Sequence, residues 1–155
     1  MPTGEGSADP RAAERGGADR DESFAAICRQ ALRRLAAELP GAQVYCHLRV
    51  GDALRVVAAE GGLRLIYEIR REQGGICWRA VETHEPQLVE DVRQDPDYMT
   101  TDENVRSEVA VPLAAGDGTV VVLDVEFVAR TFTPAEADAV LAAAASLEAE
   151  LAKPK

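Results

Sequence analysis

The sequence predicts an α+β domain, in which a mostly antiparallel β-sheet carries the first and last helices of the chain on one face. Three observations lead to this fold class. Apolar residues recur at helical spacing near the N-terminus, β-branched stretches fill the middle, and a capped apolar helix closes the chain. The chain has 155 residues, the size of one ordinary domain, and 46% of them are hydrophobic, which is enough to build a core.

The first helix follows a polar stretch. Residues 1–20 are rich in Gly, Ala and charged residues, with no large apolar side chain after Met1, so we expect a disordered tail there and a folded domain over residues 21–153. From Phe24 to Leu39 apolar residues recur every three or four positions, which predicts an amphipathic helix. Pro40-Gly41 then ends this helix.

A β-hairpin is predicted next. Residues 44–50 alternate apolar and polar side chains, Gly51-Asp52 forms the turn, and residues 54–59 form the second strand. Residues 63–69 fit either a third strand or a short helix, because both periods match so brief a run.

The segment between the first hairpin and the last strands is predicted to be helical and rich in loops. Residues 76–82 form a short helix after two glycines, and residues 87–89 form a small strand. Residues 91–104 are polar and contain Pro96, which predicts a long loop with at most one helical turn.

The strongest β-signal comes from residues 108–115 and 119–128, two β-branched strands joined by a Gly116-Asp117-Gly118 turn. The final helix opens with Thr133 as N-cap, Pro134 at its first position and Glu136 at the third, which is a capping box. Four small residues on this helix, residues 142–145, would allow close approach of a second copy, so we expect a homodimer. The alternative is that both terminal helices only cover the sheet.

The charge balance excludes several function classes. The chain has 27 acidic and 17 basic residues, a net charge of −10, and its arginines are scattered. Nucleic acid and anionic membrane surfaces are therefore unfavourable partners. The sequence has neither a run of about 18 apolar residues nor a secretory signal, so we expect a soluble cytoplasmic protein.

Several stretches of the sequence, in this order, resemble the GAF domain, a small-molecule sensory fold related to PAS. They are GICWRAV (75–81), THEP (83–86), VEDV (89–92), DPDY (95–98), RSEVAVPL (106–113), VLDVE (122–126) and FTPAE (132–136). The resemblance covers roughly residues 22–152. It implies a central antiparallel sheet with the terminal helices on one face and, on the other, a ligand pocket roofed by the segment between the hairpins.

Among enzymes, the chain is similar to the free methionine-R-sulfoxide reductases, which are GAF proteins that use cysteine thiols. Cys77 matches one family cysteine, but the resemblance places the attacking cysteine just before Asp102, where this chain has Thr101. Threonine cannot perform that redox step. A redox role would then have to combine Cys77 with Cys46 or Cys28, and the alternative is that Cys77 is a small buried hydrophobe.

Three acidic residues are the main candidates for ligand binding. If the Gly116-Asp117-Gly118 turn is a three-residue loop, Glu108 lies opposite Glu126, and Asp124 faces the same side of the sheet. Like charges in register are destabilising unless something compensates, and a ligand amine would do so. The resemblance implies that these positions hold the substrate amine in the reductases. The alternative is a register shifted by one residue, or an exposed Glu126.

Other candidate residues have simpler explanations beside the functional one. Trp78 and Tyr98 could line the pocket and stack on a flat ligand, or they could pack in the core. Neither His47 nor His84 has a second ligand at suitable spacing, so we expect no metal site and no cofactor.

The sequence therefore predicts a non-catalytic GAF domain that binds a small polar or amine-bearing metabolite. Its candidate ligand-binding residues are Glu108, Asp124, Glu126, Tyr98, Trp78 and Cys77. We expect it to signal through dimerisation or through an output protein partner. The alternative is a redox enzyme or thiol sensor related to the reductases.

Overall fold

A computed structural model describes residues 10–61, 67–99 and 103–153, with side chains described from residue 22 onward. Within these ranges the chain forms helices and strands in the order α1 (Pro10–Glu38), β1 (Ala42–Val50), β2 (Ala53–Glu60), β3 (Glu68–Arg70), α2 (Ile76–Thr83), β4 (Gln87–Val89), β5 (Val105–Ala114), β6 (Val120–Val128) and α3 (Pro134–Leu151).

The six strands form one sheet in the order β3-β2-β1-β6-β5-β4, with every neighbouring pair antiparallel. Two apolar clusters cover its two faces. The larger joins α1 and α3 to the odd-numbered positions of β6, such as Leu123 and Val125. The smaller lies under α2 on the opposite face and includes Val122. This arrangement confirms the predicted fold class, with the terminal helices on one face.

Both predicted hairpins are confirmed, including the register of the second. The Ala115 N–H donates to the Thr119 carbonyl and the Thr119 N–H donates to the Gly116 carbonyl, each at 2.9 Å. These bonds close a three-residue turn in which Asp117 has a φ of 42° and lies between two glycines that also have positive φ. Loop length and strand alternation therefore fix which residues of β5 and β6 face each other.

The structure differs from the sequence expectation at the N-terminus and adds detail near β3. Helix α1 begins at Pro10, inside the segment 1–20 that the sequence predicts to be a tail, and Ala, Arg and Glu in this stretch favour helix. The domain boundary at residue 21 stays a prediction. Residues 68–70 pair with β2 as a strand, while the rest of the ambiguous segment, residues 63–66, lies outside the described residues.

Helix α3 has the predicted capping box. The Glu136 N–H donates to the Thr133 hydroxyl at 3.2 Å, and the Thr133 N–H donates to the Glu136 carboxylate at 2.9 Å. The Arg130 guanidinium also donates to that carboxylate and lowers the pKa of Glu136 to about 2. Of the small residues on α3, Ala144 is buried against the sheet, whereas Ala142 and Ala145 are exposed. None of the described helices is long and apolar enough to cross a membrane.

Candidate functional site

Three carboxylates meet on the face of the sheet that α2 covers. In the β5–β6 register Glu108 pairs with Glu126 and Ala110 pairs with Asp124, as the sequence predicts. Glu108, Asp124 and Glu126 are exposed by only 4%, 0% and 3%, so the alternative of an exposed strand end is wrong for Glu126. One carboxylate oxygen from each of them lies within 4.8 Å of the other two. We call these three residues the carboxylate cluster.

His47 extends this cluster from the neighbouring strand. On β1, Tyr45 pairs with Asp124 and His47 with Val122, so the imidazole is diagonal to Asp124 on the same face. The His47 Nε2 atom is 3.4 Å from the Asp124 Oδ2 atom, and both side chains are fully buried. Sequence spacing offers His47 no partner because β1 and β6 become neighbours only in the folded sheet. Strand alternation is the one sequence pattern that bears on His47, because it places Tyr45 and His47 on the face of β1 opposite to Cys46.

Cys77 reaches the same site from the first turn of α2. Its Sγ atom, a ring nitrogen of His47 and a carboxylate oxygen of Asp124 all lie within 4.8 Å of one another. Cys77 is buried, with 5% exposure. The site thus combines a thiol, an imidazole and a carboxylate next to two further carboxylates.

The other two cysteines lie on the opposite face of the sheet. Cys28 on α1 and Cys46 on β1 belong to the cluster under the terminal helices, whereas Cys77 belongs to the cluster under α2. Cys28 and Cys46 are hydrogen-bonded to each other, and this bond, with burial, raises the pKa of the Cys46 thiol. The structure therefore does not bring Cys77 together with either of them, and the sheet would have to open for a disulfide to form.

A small cavity of about 20 Å³ adjoins the carboxylate cluster. A volume of this size holds about one water molecule. It lies between the sheet, α2 and the roof segment, by which we mean the described residues 91–99. The cavity is lined by Ile69, Gly75, Ile76, Cys77, Tyr98, Met99, Glu108 and Asp124. The predicted loop has one described helical turn, Val92–Gln94, while Thr101 and Asp102 lie outside the described residues.

The two aromatic candidates occupy different environments. Tyr98 lines the cavity and is half-buried. Trp78 is 1% exposed, and its indole N–H donates to the Ile69 carbonyl at 3.0 Å. The guanidinium groups of Arg49 and Arg71 lie 5.6 and 5.0 Å from its ring centre. Trp78 therefore packs in the core beneath α2, which is the second of the two roles that the sequence left open.

Arg79 on α2 fastens the roof segment to the site, a role that sequence reasoning missed. Its guanidinium donates two hydrogen bonds to Asp95, at 2.8 and 2.7 Å, and one to Asp97 at 3.0 Å. The Arg79 Nε atom also donates to the Gln87 side chain at 2.8 Å. We call this set of contacts the roof clasp. It lies within three residues of Tyr98 and fixes the outer wall of the cavity.

Breaking the roof clasp should cost measurable stability. We expect Arg79→Ala to lower the free energy of unfolding by about 2 kcal/mol at pH 7, because the pair is bidentate and Asp95 is only 11% exposed. Urea denaturation measures the loss. Arg93→Ala is the matched control, since Arg93 pairs with Asp91 while 60% exposed, and we expect it to cost much less. Equal losses in the two variants would show that the clasp is ordinary surface pairing.

The roof clasp also gives the stability a pH dependence of known sign. The hydrogen bonds from Arg79 lower the pKa of Asp95 from its ordinary 3.8. Its contribution is therefore complete above pH 3.8 and is lost as the pH falls through the lower folded-state pKa. The difference between wild type and Arg79→Ala should shrink in this acidic range.

Comparison with known proteins identifies the family and confirms the fold. A GAF domain family model matches residues 21–149. A stretch of 53 residues is 38% identical to a free methionine-R-sulfoxide reductase of Saccharomyces cerevisiae, and covers 34% of this chain and 29% of that protein. The chain therefore matches well under half the length of this curated relative.

Two solved structures illustrate the range of proteins with this fold. A type II free methionine-R-sulfoxide reductase from Thermoplasma acidophilum aligns with a TM-score of 0.74 and 22% identity, over 86% of this chain and 94% of that one. The GAF domain of a phosphoenolpyruvate-protein phosphotransferase from Coxiella burnetii aligns with a TM-score of 0.66 and 17% identity, over 83% of this chain and 82% of that one. At these identities the likeness establishes the fold alone.

Proposed function

The chain belongs to the GAF domain family, and from that premise we propose that it is a non-catalytic sensor of a small polar metabolite that carries a protonated amine. The observation that supports this proposal best is the carboxylate cluster. Three acidic side chains, all less than 5% exposed, converge beside a cavity under α2 and the roof segment.

Electrostatics favours a cationic ligand at this place. The carboxylate oxygens lie within 4.8 Å of one another, and two ionised groups at that separation repel by about 3 kcal/mol at an effective dielectric constant near 20. A primary ammonium group has three donors and one positive charge, so it can bond several carboxylates at once and cancel their repulsion. The charge and the donor number of an amino-acid amine thus complement Glu108, Asp124 and Glu126.

The cavity suggests how binding would be reported. About 20 Å³ is too small for an amino acid, so a ligand must displace the roof segment or α2 to enter. Tyr98 and Met99 line the cavity from the roof side and are half-buried, which makes them the side chains that have to move. The energy of ligand binding would then shift the roof between two positions.

Similarity to the reductases supports an amino-acid-like ligand without their chemistry. As their name states, these relatives act on free methionine sulfoxide, an amino acid with a free amine. This chain keeps acidic residues at the positions that the resemblance assigns to amine binding, but has Thr101 where the attacking cysteine is expected. Binding would then be retained while turnover is lost.

Calorimetric titration tests the proposal with matched ligands. We titrate a panel of free amino acids that includes methionine and methionine sulfoxide, and we expect at least one of them to bind. The N-acetyl form of that amino acid should not bind, because it lacks the positive charge. Glu108→Gln should lower the affinity for this amino acid at least tenfold, as expected when a buried hydrogen bond to a charged group is lost. Glu82→Gln, an exposed acid on α2, is the matched control.

Two results would count against this proposal. One is a wild-type protein that binds no amine in the panel, and the other is equal affinity for the free and N-acetyl forms. The redox alternative is supported by the position of the Cys77 sulfur within 4.8 Å of a His47 ring nitrogen, because a nearby imidazole favours a thiolate. NADPH consumption with thioredoxin and free methionine sulfoxide that disappears in Cys77→Ser would favour that alternative.

We also propose that the output uses the outer surface of α1 and α3 in a homodimer. A groove of about 590 Å³ runs between these helices and is lined by Ala139, Ala142 and Ala143 beside Arg34 and Glu150. Small residues allow close helix packing, and charges of both signs at its edge suit a second copy. Light scattering that shows a monomer at high micromolar concentration would leave an output partner protein as the remaining route. We also propose that the protein acts in the cytoplasm.

A further inference from the structure

His47, Cys77 and Asp124 form a cluster that the amine-binding proposal leaves unexplained. They come from β1, α2 and β6, far apart in sequence, yet one donor atom from each lies within 4.8 Å of the other two. All three side chains are buried, with exposures of 0%, 5% and 0%. The sequence predicts no metal site because neither histidine has a ligand at suitable spacing, but the fold supplies His47 with two.

The distance between the imidazole and the carboxylate is informative. The His47 Nε2 to Asp124 Oδ2 separation of 3.4 Å is longer than the 2.7–3.2 Å of ordinary N–H···O hydrogen bonds. Two ligands of one tetrahedral ion, each bonded at about 2.0–2.1 Å, are about 3.4 Å apart. This pair therefore already has the spacing of two zinc ligands, and the Cys77 sulfur lies within 4.8 Å of a ring nitrogen of His47 and a carboxylate oxygen of Asp124.

The donor types select a class of metal. Imidazole nitrogen, thiolate sulfur and carboxylate oxygen together suit Zn²⁺ and the similar ion Co²⁺, whereas Mg²⁺ and Ca²⁺ prefer oxygen alone. A thiolate and a carboxylate also neutralise the two charges of the ion, which lowers the free-energy cost of burying it. The adjoining cavity of about 20 Å³ can hold one water molecule as a fourth ligand.

We propose that His47, Cys77 and Asp124 bind one zinc-class divalent ion with an open fourth position at the cavity. This site goes beyond the proposed function, since it uses His47 and Cys77, which the amine does not require. Glu108 and Glu126 remain available to the amine while the ion binds Asp124. An exchangeable fourth ligand would give the pocket a second point of attachment for a ligand oxygen or nitrogen.

Cobalt is a direct spectroscopic probe of this site. After chelator treatment, full-length protein should bind one Co²⁺ per chain and show thiolate-to-cobalt charge transfer in the near ultraviolet with visible bands of a tetrahedral ion. Cys77→Ser should abolish the charge-transfer band, and His47→Gln should weaken binding at least tenfold. Cys28→Ala, on the other face of the sheet, should leave both unchanged. Absence of the band in wild type at millimolar Co²⁺, or its survival in Cys77→Ser, would overturn the proposal.

Two further arms keep the test decisive. A protein with Cys28→Ala and Cys46→Ala has Cys77 as its single thiol and must still give the band, which covers the case that Cys77→Ser fails to fold. Circular dichroism monitors folding in every variant. In chelator-treated, metal-free protein His47→Gln should leave the amine titration unchanged, while Glu108→Gln should leave the cobalt spectrum unchanged, so failure of either proposal is seen separately.

Discussion

Replacing Trp78 with alanine is expected to lower the free energy of unfolding by about 3–5 kcal/mol. The side chain is 1% exposed and fills the space between α2 and the sheet, so its removal leaves a cavity that rigid strands on one side cannot collapse into. The Ile69 carbonyl also loses the indole donor at 3.0 Å, and an unsatisfied buried carbonyl adds to the cost. Urea denaturation followed by circular dichroism measures the change.

Tyr67 provides the control for this prediction. It is an aromatic residue 64% exposed to solvent, so Tyr67→Ala should change the free energy of unfolding by no more than about 0.5 kcal/mol. Trp78→Phe should fall between the two, because the phenyl ring keeps much of the volume but has no N–H. A Trp78→Ala variant as stable as Tyr67→Ala would mean that the indole is not part of the core and could serve a ligand instead.

Neutralising Glu126 is expected to have opposite effects on stability and on binding. In Glu126→Gln the ligand-free protein should gain about 2 kcal/mol, because a like-charged partner directly across from Glu108 is removed from a buried site. The same change should lower the affinity for the amine ligand at least tenfold.

A thermal or urea unfolding series at pH 7 checks the first half of this prediction and calorimetry the second. Glu85→Gln, an exposed acid in the turn after α2, is the control and should leave both quantities unchanged. Loss of stability in Glu126→Gln would show that Glu126 already makes stabilising contacts in the free protein. The carboxylate cluster would then be a structural network rather than a site prepared for a cation.

The second hairpin shows what could be predicted from the sequence. Its turn contains two glycines, which are compatible with a three-residue loop, and with that loop length strand alternation places Glu108 opposite Glu126, as the structure shows. This reasoning is local, because a hairpin register depends on only one turn. The capping box at Thr133 and the short helix α2 were predictable for the same reason.

The rest of the site depends on contacts between distant parts of the chain. His47 meets Asp124 only because β1 is placed beside β6, and Arg79 meets Asp95 only because the roof segment folds back over α2. No spacing rule within one element encodes these meetings. For the same reason the sequence could not show that Cys77 lies on the opposite face of the sheet from Cys28 and Cys46.

The placement of the three carboxylates on a single hairpin separates two properties that evolution can change one at a time. The three carboxylates are supplied by β5 and β6, while the thiol of Cys77 is supplied by α2. Substitution of Cys77 can therefore remove the thiol without altering the acidic residues of the pocket floor. A protein with this fold can in this way lose catalytic turnover and still bind the same class of molecule.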